Sequence, residues 1–302
     1  MEVIRVIPRG YCKGVVQAIN AVKEARKNYS GNIYILGMIV HNTFVKKALE
    51  EQGVISLDIS KKSKEEYLDE IDEGMVIFTA HGSATSLITK AKNKGLMYVD
   101  ACCSDVFKTH HLISEYESQG YTTIYIGKKG HPEAEAVLAN FDHVILVENL
   151  QNAQELVLDT DKILITNQTT MSIHDIERLH TYLKEKFPHA IVTEEICNAT
   201  RLRQEAIASL QDVDVLLVVG DPLSNNSNKL VEINTRIPRK QLISSVEDID
   251  ISWFKENDRI AVTSGASTPT YITNQVIDYL VQLDLQDEST YSIPSIEISK
   301  IL

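Results

Sequence analysis

Three of the four cysteines recur at nearly equal intervals and at the same place in a repeated pattern. Cys12, Cys103 and Cys197 are 91 and 94 residues apart in a chain of 302. Each follows an apolar run typical of a strand and precedes a stretch with helical periodicity. Open α/β sheets bind ligands at such strand ends, and the free N–H groups of the following helix favour a thiolate. Three thiolates suit an iron–sulfur cluster with one open iron, a three-iron cluster, or zinc with a fourth ligand.

An ordinary packing role is the alternative for these cysteines. Scattered cysteines are more often buried thiols that behave as small hydrophobic side chains. Their equivalent strand-end positions favour metal binding instead, and their long spacing argues against a local zinc knuckle. Cys102, beside Cys103, has no counterpart in the other repeats. We expect Cys102 to be a packed or incidental thiol.

The other predicted strand ends carry imidazole, hydroxyl and amide groups and one carboxylate. These candidate residues are His41, His81, His131, Glu133, Thr169, Ser224, Asn225, Asn226 and Ser267. Imidazole, hydroxyl and amide groups can hold phosphate oxygens, although clusters of Ser and Asn are usually turns. Glu133 is either a solvated loop carboxylate or a proton donor whose pKa is tuned by a dry pocket.

The elements that must position these residues also repeat. Further strands are predicted at IYILG (33–37), TIYIG (123–127) and LLVVG (216–220), and again at 75–83, 162–172 and 259–269. Strands that alternate with amphipathic helices indicate parallel βαβ units. We predict an α/β fold of three similar parallel-sheet domains: 13–102, 103–196, and 197–285 completed by strand 1–12. Residues 286–302 are predicted to form a C-terminal tail, with an added edge strand as the alternative.

Composition narrows the possible partners and compartment. With 30 Lys and Arg against 42 Asp and Glu, the net charge is −12, which argues against binding nucleic acid or anionic membranes. No apolar run is long enough to span a bilayer, and the N-terminus lacks the apolar core of a signal peptide. We therefore expect a cytoplasmic protein. The motifs of dinucleotide folds, P-loop NTPases and α/β-hydrolases are absent.

Taken together and in order, the motifs around these residues resemble one family. They include PRGYCKGV (8–15), TAHGS (79–83), VDACCSDVFKTHH (99–111), GKKGHPEAEA (127–136), EICNATRLRQEA (195–206), GDPLSNNSNKL (220–230) and TSGASTP (263–269). The chain resembles the 4-hydroxy-3-methylbut-2-enyl diphosphate reductases, which catalyse the last step of the non-mevalonate isoprenoid pathway. The resemblance spans about residues 1–280.

The resemblance implies a site as well as a fold. It implies three α/β domains in pseudo-threefold arrangement around one [4Fe-4S] cluster per chain, with three cysteine ligands and one open iron. By motif, the cluster ligands are Cys12, Cys103 and Cys197. The residues implied to contact substrate are His41, His81, His131, Thr169, Ser224, Asn225, Asn226 and Ser267. Glu133 and Thr169 match the family's proton-delivery pair.

The implied reaction is a two-electron reductive dehydroxylation of an allylic alcohol diphosphate to isopentenyl and dimethylallyl diphosphate. Because no nucleotide motif is present, an external carrier such as ferredoxin or flavodoxin is expected to supply the electrons. This chain has Cys102 and Ser104 where the family usually has Thr and Pro around the second ligand, which leaves room for altered cluster stability. Two alternatives stay open: a divergent paralogue acting on another diphosphate, and a non-catalytic iron–sulfur redox sensor.

Overall fold

The computed structural model describes all 302 residues and contains eleven α-helices, twelve β-strands and four short 3-10 turns. The strands are β1 (Glu2–Arg5), β2 (Ile33–Leu36), β3 (Val54–Leu57), β4 (Met75–Phe78), β5 (Met97–Asp100), β6 (Thr122–Ile126), β7 (Val144–Val147), β8 (Ile163–Asn167), β9 (Ile191–Val192), β10 (Val215–Val219), β11 (Arg239–Ile243) and β12 (Arg259–Ser264). The helices are α1 (Lys13–Asn28), α2 (Thr43–Glu51), α3 (Lys64–Glu70), α4 (Thr85–Asn93), α5 (Ser104–Ser118), α6 (Pro132–Asn140), α7 (Leu150–Glu155), α8 (Ile173–Lys186), α9 (Asn198–Ala208), α10 (Asn225–Glu232) and α11 (Thr270–Gln282).

The strands form three four-stranded sheets that share one topology. Their orders are β3-β2-β4-β5, β7-β6-β8-β9 and β11-β10-β12-β1, and every neighbouring pair is parallel. In the first two sheets the chain starts at an inner strand, adds one strand on one side and then two on the other; in the third, β10, β11 and β12 follow the same order. The N-terminal strand β1 takes the outer place beside β12, the place that β5 and β9 take in the other sheets. The predicted α/β fold of three similar parallel-sheet domains is confirmed.

Apolar central strands explain why each sheet is covered by helices. All five residues of β10 are buried, as are all five of β8, so both faces of these strands are covered. The helices cover the sheets with amphipathic faces: in α1, Val15, Ala18 and Val22 recur at helical spacing and are all buried. Each sheet has its own cluster of buried aliphatic side chains.

Internal contacts divide the chain into two compact units. The first unit consists of residues 1–16, 40–52 and 198–302 and contains the sheet with β1; the second consists of 17–39 and 53–197 and contains the other two sheets. Helix α2 belongs to the first unit although the strands before and after it, β2 and β3, belong to the second. The domain boundaries predicted from the sequence remain a prediction.

One strand is shorter than the sequence indicates, and the C-terminal residues do not form the alternative edge strand. The apolar run before the third cysteine was expected to form a strand, but β9 contains only Ile191 and Val192. The last residues, 286–302, form two 3-10 turns, Glu288–Tyr291 and Ile298–Lys300, and no strand. No helix of the structure has both the length and the apolar character needed to cross a membrane.

Candidate active site

The predicted site residues follow the strands in a regular way. In each sheet the order reverses between the first and third strands of the repeat, β2 and β4, β6 and β8, or β10 and β12, and parallel α/β sheets bind ligands beyond the carboxyl ends at such a point. The candidate histidines, hydroxyls, amides and carboxylate all follow these six strands in the chain. The three candidate cysteines instead follow the fourth strand of each repeat, namely β5, β9 and β1.

Equivalent backbone hydrogen bonds fix the three cysteines. Each cysteine directly precedes a helix: Cys12 before α1, Cys103 before α5 and Cys197 before α9. Their N–H groups donate to the carbonyl oxygens of Ala266 (2.9 Å), Ala80 (2.9 Å) and Thr169 (3.1 Å), respectively. Ala266, Ala80 and Thr169 each lie two residues beyond the end of a strand, namely β12, β4 and β8, respectively. The repeat therefore places each cysteine backbone against the loop after the adjacent strand.

The cysteine sulfurs are chemically suited to a metal cluster. None of the four cysteines forms a disulfide. The N–H of Val15 donates to Cys12 Sγ at 3.4 Å, the kind of bond that stabilises a thiolate and tunes an iron–sulfur centre. Nowhere in the structure do three or more His, Cys, Asp or Glu side chains come together as a group able to hold a metal ion. The thiol donors present fit an iron–sulfur cluster.

Cys102 differs from its neighbour in environment. Burial, with a smaller contribution from the charge of Asp100, raises the pKa of Cys102 to about 12. Its Sγ lies 3.6 Å from the carbonyl oxygen of Cys103, and its own N–H donates to Asp100 Oδ1 at 3.0 Å. Cys102 is therefore a neutral thiol, in keeping with a packing role.

In the second unit, Glu133 is a buried carboxyl group with specific donors. It lies in the first turn of α6 and is 2% exposed. The N–H of Thr169 donates to Glu133 Oε1 at 2.7 Å and the Thr169 hydroxyl donates to Oε2 at 3.0 Å. The hydroxyl of Tyr125, which is fully buried, donates to Oε1 at 3.4 Å. Both carboxyl oxygens are thus held in place.

This environment raises the pKa of the Glu133 carboxyl group towards neutral pH. Burial raises its pKa to about 7, against the opposing effect of the hydrogen bonds from Thr169 and Tyr125. A carboxyl group with a pKa near 7 is half protonated at neutral pH and can deliver a proton as a general acid. Glu133 is therefore buried and is not the solvated loop carboxylate that the sequence also allowed.

Two histidines lie close to this acid in the second unit. The rings of His81 and His131 make an edge-to-face contact with their centroids 5.7 Å apart. His131 caps the N-terminus of α6, where its Nδ1 accepts from the N–H of Glu133 at 3.2 Å. His81 directly follows Ala80, whose carbonyl accepts from Cys103. Within the second unit, His81 after β4 thus contacts His131 after β6, and His131 lies beside Glu133, which is bonded to Thr169 after β8.

In the first unit, hydroxyl and amide side chains collect at the start of α10. Ser224 is the N-cap of α10, and its Oγ accepts from the N–H of Ser227 at 3.3 Å. Asn225 and Asn226 begin the helix and are each 5% exposed. The Oδ1 of Asn226 accepts from Thr200 at 3.5 Å, but its buried Nδ2 has no hydrogen-bond partner. A buried donor without a partner is costly unless a ligand satisfies it.

Hydrogen bonds from and to residues 266 and 267 link the remaining predicted residues of the first unit, Cys12, His41 and Ser267. Ser267 Oγ donates to the carbonyl oxygen of His41 at 2.9 Å, and Ser267 directly follows Ala266, which accepts from Cys12. Burial lowers the pKa of the His41 ring, and the charge of Asp221 partly opposes that effect. Through Ala266 and Ser267, hydrogen bonds therefore link the segment that carries Cys12 to the segment that carries His41.

Two residues in these networks were missed from the sequence. Tyr125 lies inside the strand TIYIG and looks like an ordinary core residue, so nothing in its context indicates contact with Glu133. Asp221 follows LLVVG at a strand end, and this position could have marked it as a site residue. The Ser and Asn residues that follow it were considered instead. Asp221 is 5% exposed and accepts three hydrogen bonds, two from Thr43 and one from Leu223.

The fold and these residues define a three-repeat α/β protein with thiols, imidazole, hydroxyl and amide groups and a buried acid at its strand ends. Comparison with known proteins assigns it more narrowly. The chain belongs to the LytB protein family, whose sequence model matches residues 3–281.

Relatives of this chain carry one activity in their names. The 4-hydroxy-3-methylbut-2-enyl diphosphate reductase of Geobacillus sp. (strain WCH70) is 48% identical over 96% of this chain and 94% of its own length. The enzyme of the same name from Bacillus cytotoxicus is 48% identical over 100% of this chain and 98% of its own length. The solved structure of the E-1-hydroxy-2-methyl-but-2-enyl-4-diphosphate reductase from Plasmodium falciparum is 33% identical, covers 93% of this chain and 88% of that one, and superposes with a TM-score of 0.86.

Proposed function

We propose that this chain removes the hydroxyl group of 4-hydroxy-3-methylbut-2-enyl diphosphate reductively, in the last step of the non-mevalonate isoprenoid pathway. In this reaction the allylic C–O bond breaks and the hydroxyl leaves as water. Two electrons and two protons enter, one proton on the leaving hydroxyl and one on carbon, and the products are isopentenyl and dimethylallyl diphosphate. The observation that carries the proposal is the buried Glu133 carboxyl, held by Thr169 with a pKa of about 7.

Glu133 and Thr169 are assigned to proton delivery. A carboxyl group that is half protonated at neutral pH can give its proton to a leaving hydroxyl and recover it from solvent. The Thr169 hydroxyl, 3.0 Å from Glu133 Oε2, can pass that proton on, because a hydroxyl both donates and accepts. The Tyr125 hydroxyl and the Thr169 N–H keep the carboxyl in one orientation.

The hydroxyl and amide groups of the first unit are assigned to the diphosphate. The partnerless Nδ2 of Asn226 lies in the first turn of α10, where helix N–H groups also favour an anion. Ser224, Asn225 and Ser267 add short polar side chains. The imidazoles of His41, His81 and His131 complete the assigned set of diphosphate ligands.

The cofactor of this proposal is one [4Fe-4S] cluster held by Cys12, Cys103 and Cys197, with one iron open. When bound, the cluster would relay two electrons, one at a time, from an external carrier and would supply a Lewis-acidic iron for the substrate hydroxyl. Support comes from their matching places before α1, α5 and α9, their matching backbone bonds, and the donor that faces Cys12 Sγ. An external carrier such as ferredoxin or flavodoxin is proposed to reduce it. The proposed compartment is the cytosol, where thiols stay reduced.

Anaerobic turnover by the reconstituted protein tests the function. The protein is reconstituted with iron and sulfide, both are quantified, and reduced methyl viologen replaces the carrier. We expect isopentenyl and dimethylallyl diphosphate to form from the hydroxylated substrate. Dimethylallyl diphosphate, which lacks the hydroxyl, is the control and should not oxidise the viologen. Protein that binds a full cluster but turns over no substrate would contradict the proposal and favour a redox sensor. Turnover of a different diphosphate alone would favour the paralogue.

A further inference from the structure

We propose that Asp221 is a positioning residue that holds His41 in place for the diphosphate; this role rests on the proposed function. Asp221 directly follows Gly220 at the end of β10 and is 5% exposed. It is outside the set of residues that the family resemblance assigns to substrate, cluster or proton delivery. What it contacts, rather than its position in a motif, indicates its role.

The Asp221 carboxylate joins two segments of the first unit that carry proposed diphosphate ligands. Its Oδ2 accepts from the N–H of Thr43 at 2.8 Å and from the Thr43 hydroxyl at 2.7 Å. Its Oδ1 accepts from the N–H of Leu223 at 2.9 Å. Thr43 is two residues after His41, and Leu223 is one residue before Ser224. One side chain therefore fixes the backbone beside His41 and the backbone beside Ser224.

The same arrangement fixes the start of α2. Thr43 is the first residue of α2, and the α2 N-cap is Asn42, whose side chain accepts from the N–H of Val45 at 3.1 Å. A carboxylate at a helix N-terminus is favoured by the free N–H groups there. Ser267 donates to the His41 carbonyl, and Asp221 accepts from the Thr43 N–H. Together these two bonds hold the His41–Thr43 backbone in one orientation.

The charge of Asp221 also affects the His41 ring. Burial lowers the pKa of His41, and Asp221 is the group that opposes this effect. An imidazole that orients a diphosphate benefits from a fixed position and a nearby carboxylate. Loss of Asp221 should therefore weaken ground-state binding of the diphosphate, while the proton-delivery groups of the second unit remain intact.

The Asp221→Asn variant tests this role, because the side chain keeps its shape but loses its charge and one acceptor oxygen. Loss of a charge-assisted hydrogen bond corresponds to a change in affinity on the order of tenfold. We expect the KM for substrate to rise by about that factor with kcat nearly unchanged. Inorganic diphosphate, titrated into the reconstituted protein by calorimetry, should lose affinity by the same factor.

Three further variants separate positioning from general stability. Thr43→Ser keeps both bonds to Asp221 and should match the unchanged protein, whereas Thr43→Val removes the hydroxyl bond and should raise KM by a smaller factor. Asp258→Asn alters another buried carboxylate of the first unit, which pairs with Arg239. Asp258 directly precedes β12, whereas Ser267 follows the other end of that strand. Asp258→Asn should lower the melting temperature without changing KM.

KM, diphosphate affinity and melting temperature together distinguish a positioning role of Asp221 from a general effect on stability. Equal KM and equal diphosphate affinity in Asp221→Asn and the unchanged protein would overturn the positioning role. So would a fall in melting temperature and kcat that Asp258→Asn reproduces while KM stays constant. If Asp221→Asn fails to fold, the Thr43 pair still decides, because equal KM in Thr43→Ser and Thr43→Val overturns the role. Absence of turnover in the unchanged protein would instead contradict the proposed function.

Discussion

Replacing Glu133 by Gln should change activity, pH dependence and stability in ways that the structure specifies. The amide has the size of the carboxyl group, and its oxygen can still accept from the N–H of Thr169. It cannot act as an acid. Since a positioned general acid contributes on the order of 10² to 10⁴ in rate, we expect kcat to fall by at least about a hundredfold while the cluster still forms.

The pH dependence of stability follows from the direction of the pKa shift. Glu133 has its pKa raised from 4.5 to about 7 in the folded protein, with burial as the main cause. The unfolded chain therefore releases this proton first, and the folded state is destabilised as the pH rises between those values. The shift corresponds to a loss of about 3 kcal/mol in the free energy of unfolding once the group is ionised in both states. Glu133→Gln cannot ionise and should not show this loss.

Denaturant unfolding of both proteins between about pH 5 and pH 8 measures this difference. The stability of Glu133→Gln relative to the unchanged protein should increase with pH by roughly 2.5 kcal/mol over that interval. In the anaerobic assay, kcat of the unchanged protein should fall as the pH rises through about 7, because the protonated fraction of Glu133 falls. A Gln variant with nearly full activity, or a stability difference independent of pH, would refute the assignment of Glu133 as the acid.

Three further predictions concern the neighbours of the acid, the adjacent thiols and the tail. Thr169→Val removes the hydroxyl that donates to Glu133 Oε2, so the pKa of Glu133 should rise further and the basic limb of the kcat profile should move to higher pH while kcat falls. Cys103→Ser should lose most iron and sulfide on reconstitution, whereas Cys102→Ser should retain both, as measured by colorimetric analysis. Removing residues 296–302 exposes the surface under Ile301, which is 2% exposed, and should lower the free energy of unfolding by about 2 kcal/mol in denaturant titrations.

The strands could be predicted from the sequence because short apolar runs recur along the chain at matched intervals. Even the short apolar runs at 54–57, 143–147 and 241–244 overlap β3, β7 and β11. The common strand order was not readable, because it depends on pairings between segments far apart in the chain. The pairing of β1 with β12 shows this, since it joins Glu2 to Arg259.

The site was predictable in residue type but not in environment. Glu133 could have been a solvated carboxylate, because the motif GKKGHPEAEA is polar, and only the packing of Tyr125 and Thr169 buries it. Asp221 was missed for a related reason. An Asp after a strand is common in turns, and its partner Thr43 is 178 residues away in the chain.

Mössbauer spectroscopy of the ⁵⁷Fe-reconstituted protein, with and without the hydroxylated diphosphate, tests the central claim most directly. Three cysteine ligands and one open iron predict a four-iron cluster in which one iron is distinct and changes its signal when substrate is added. The Asp221→Asn variant should show the same change at higher substrate concentration. Four equivalent irons that do not respond to substrate, or a protein that binds no cluster after reconstitution, would contradict the account.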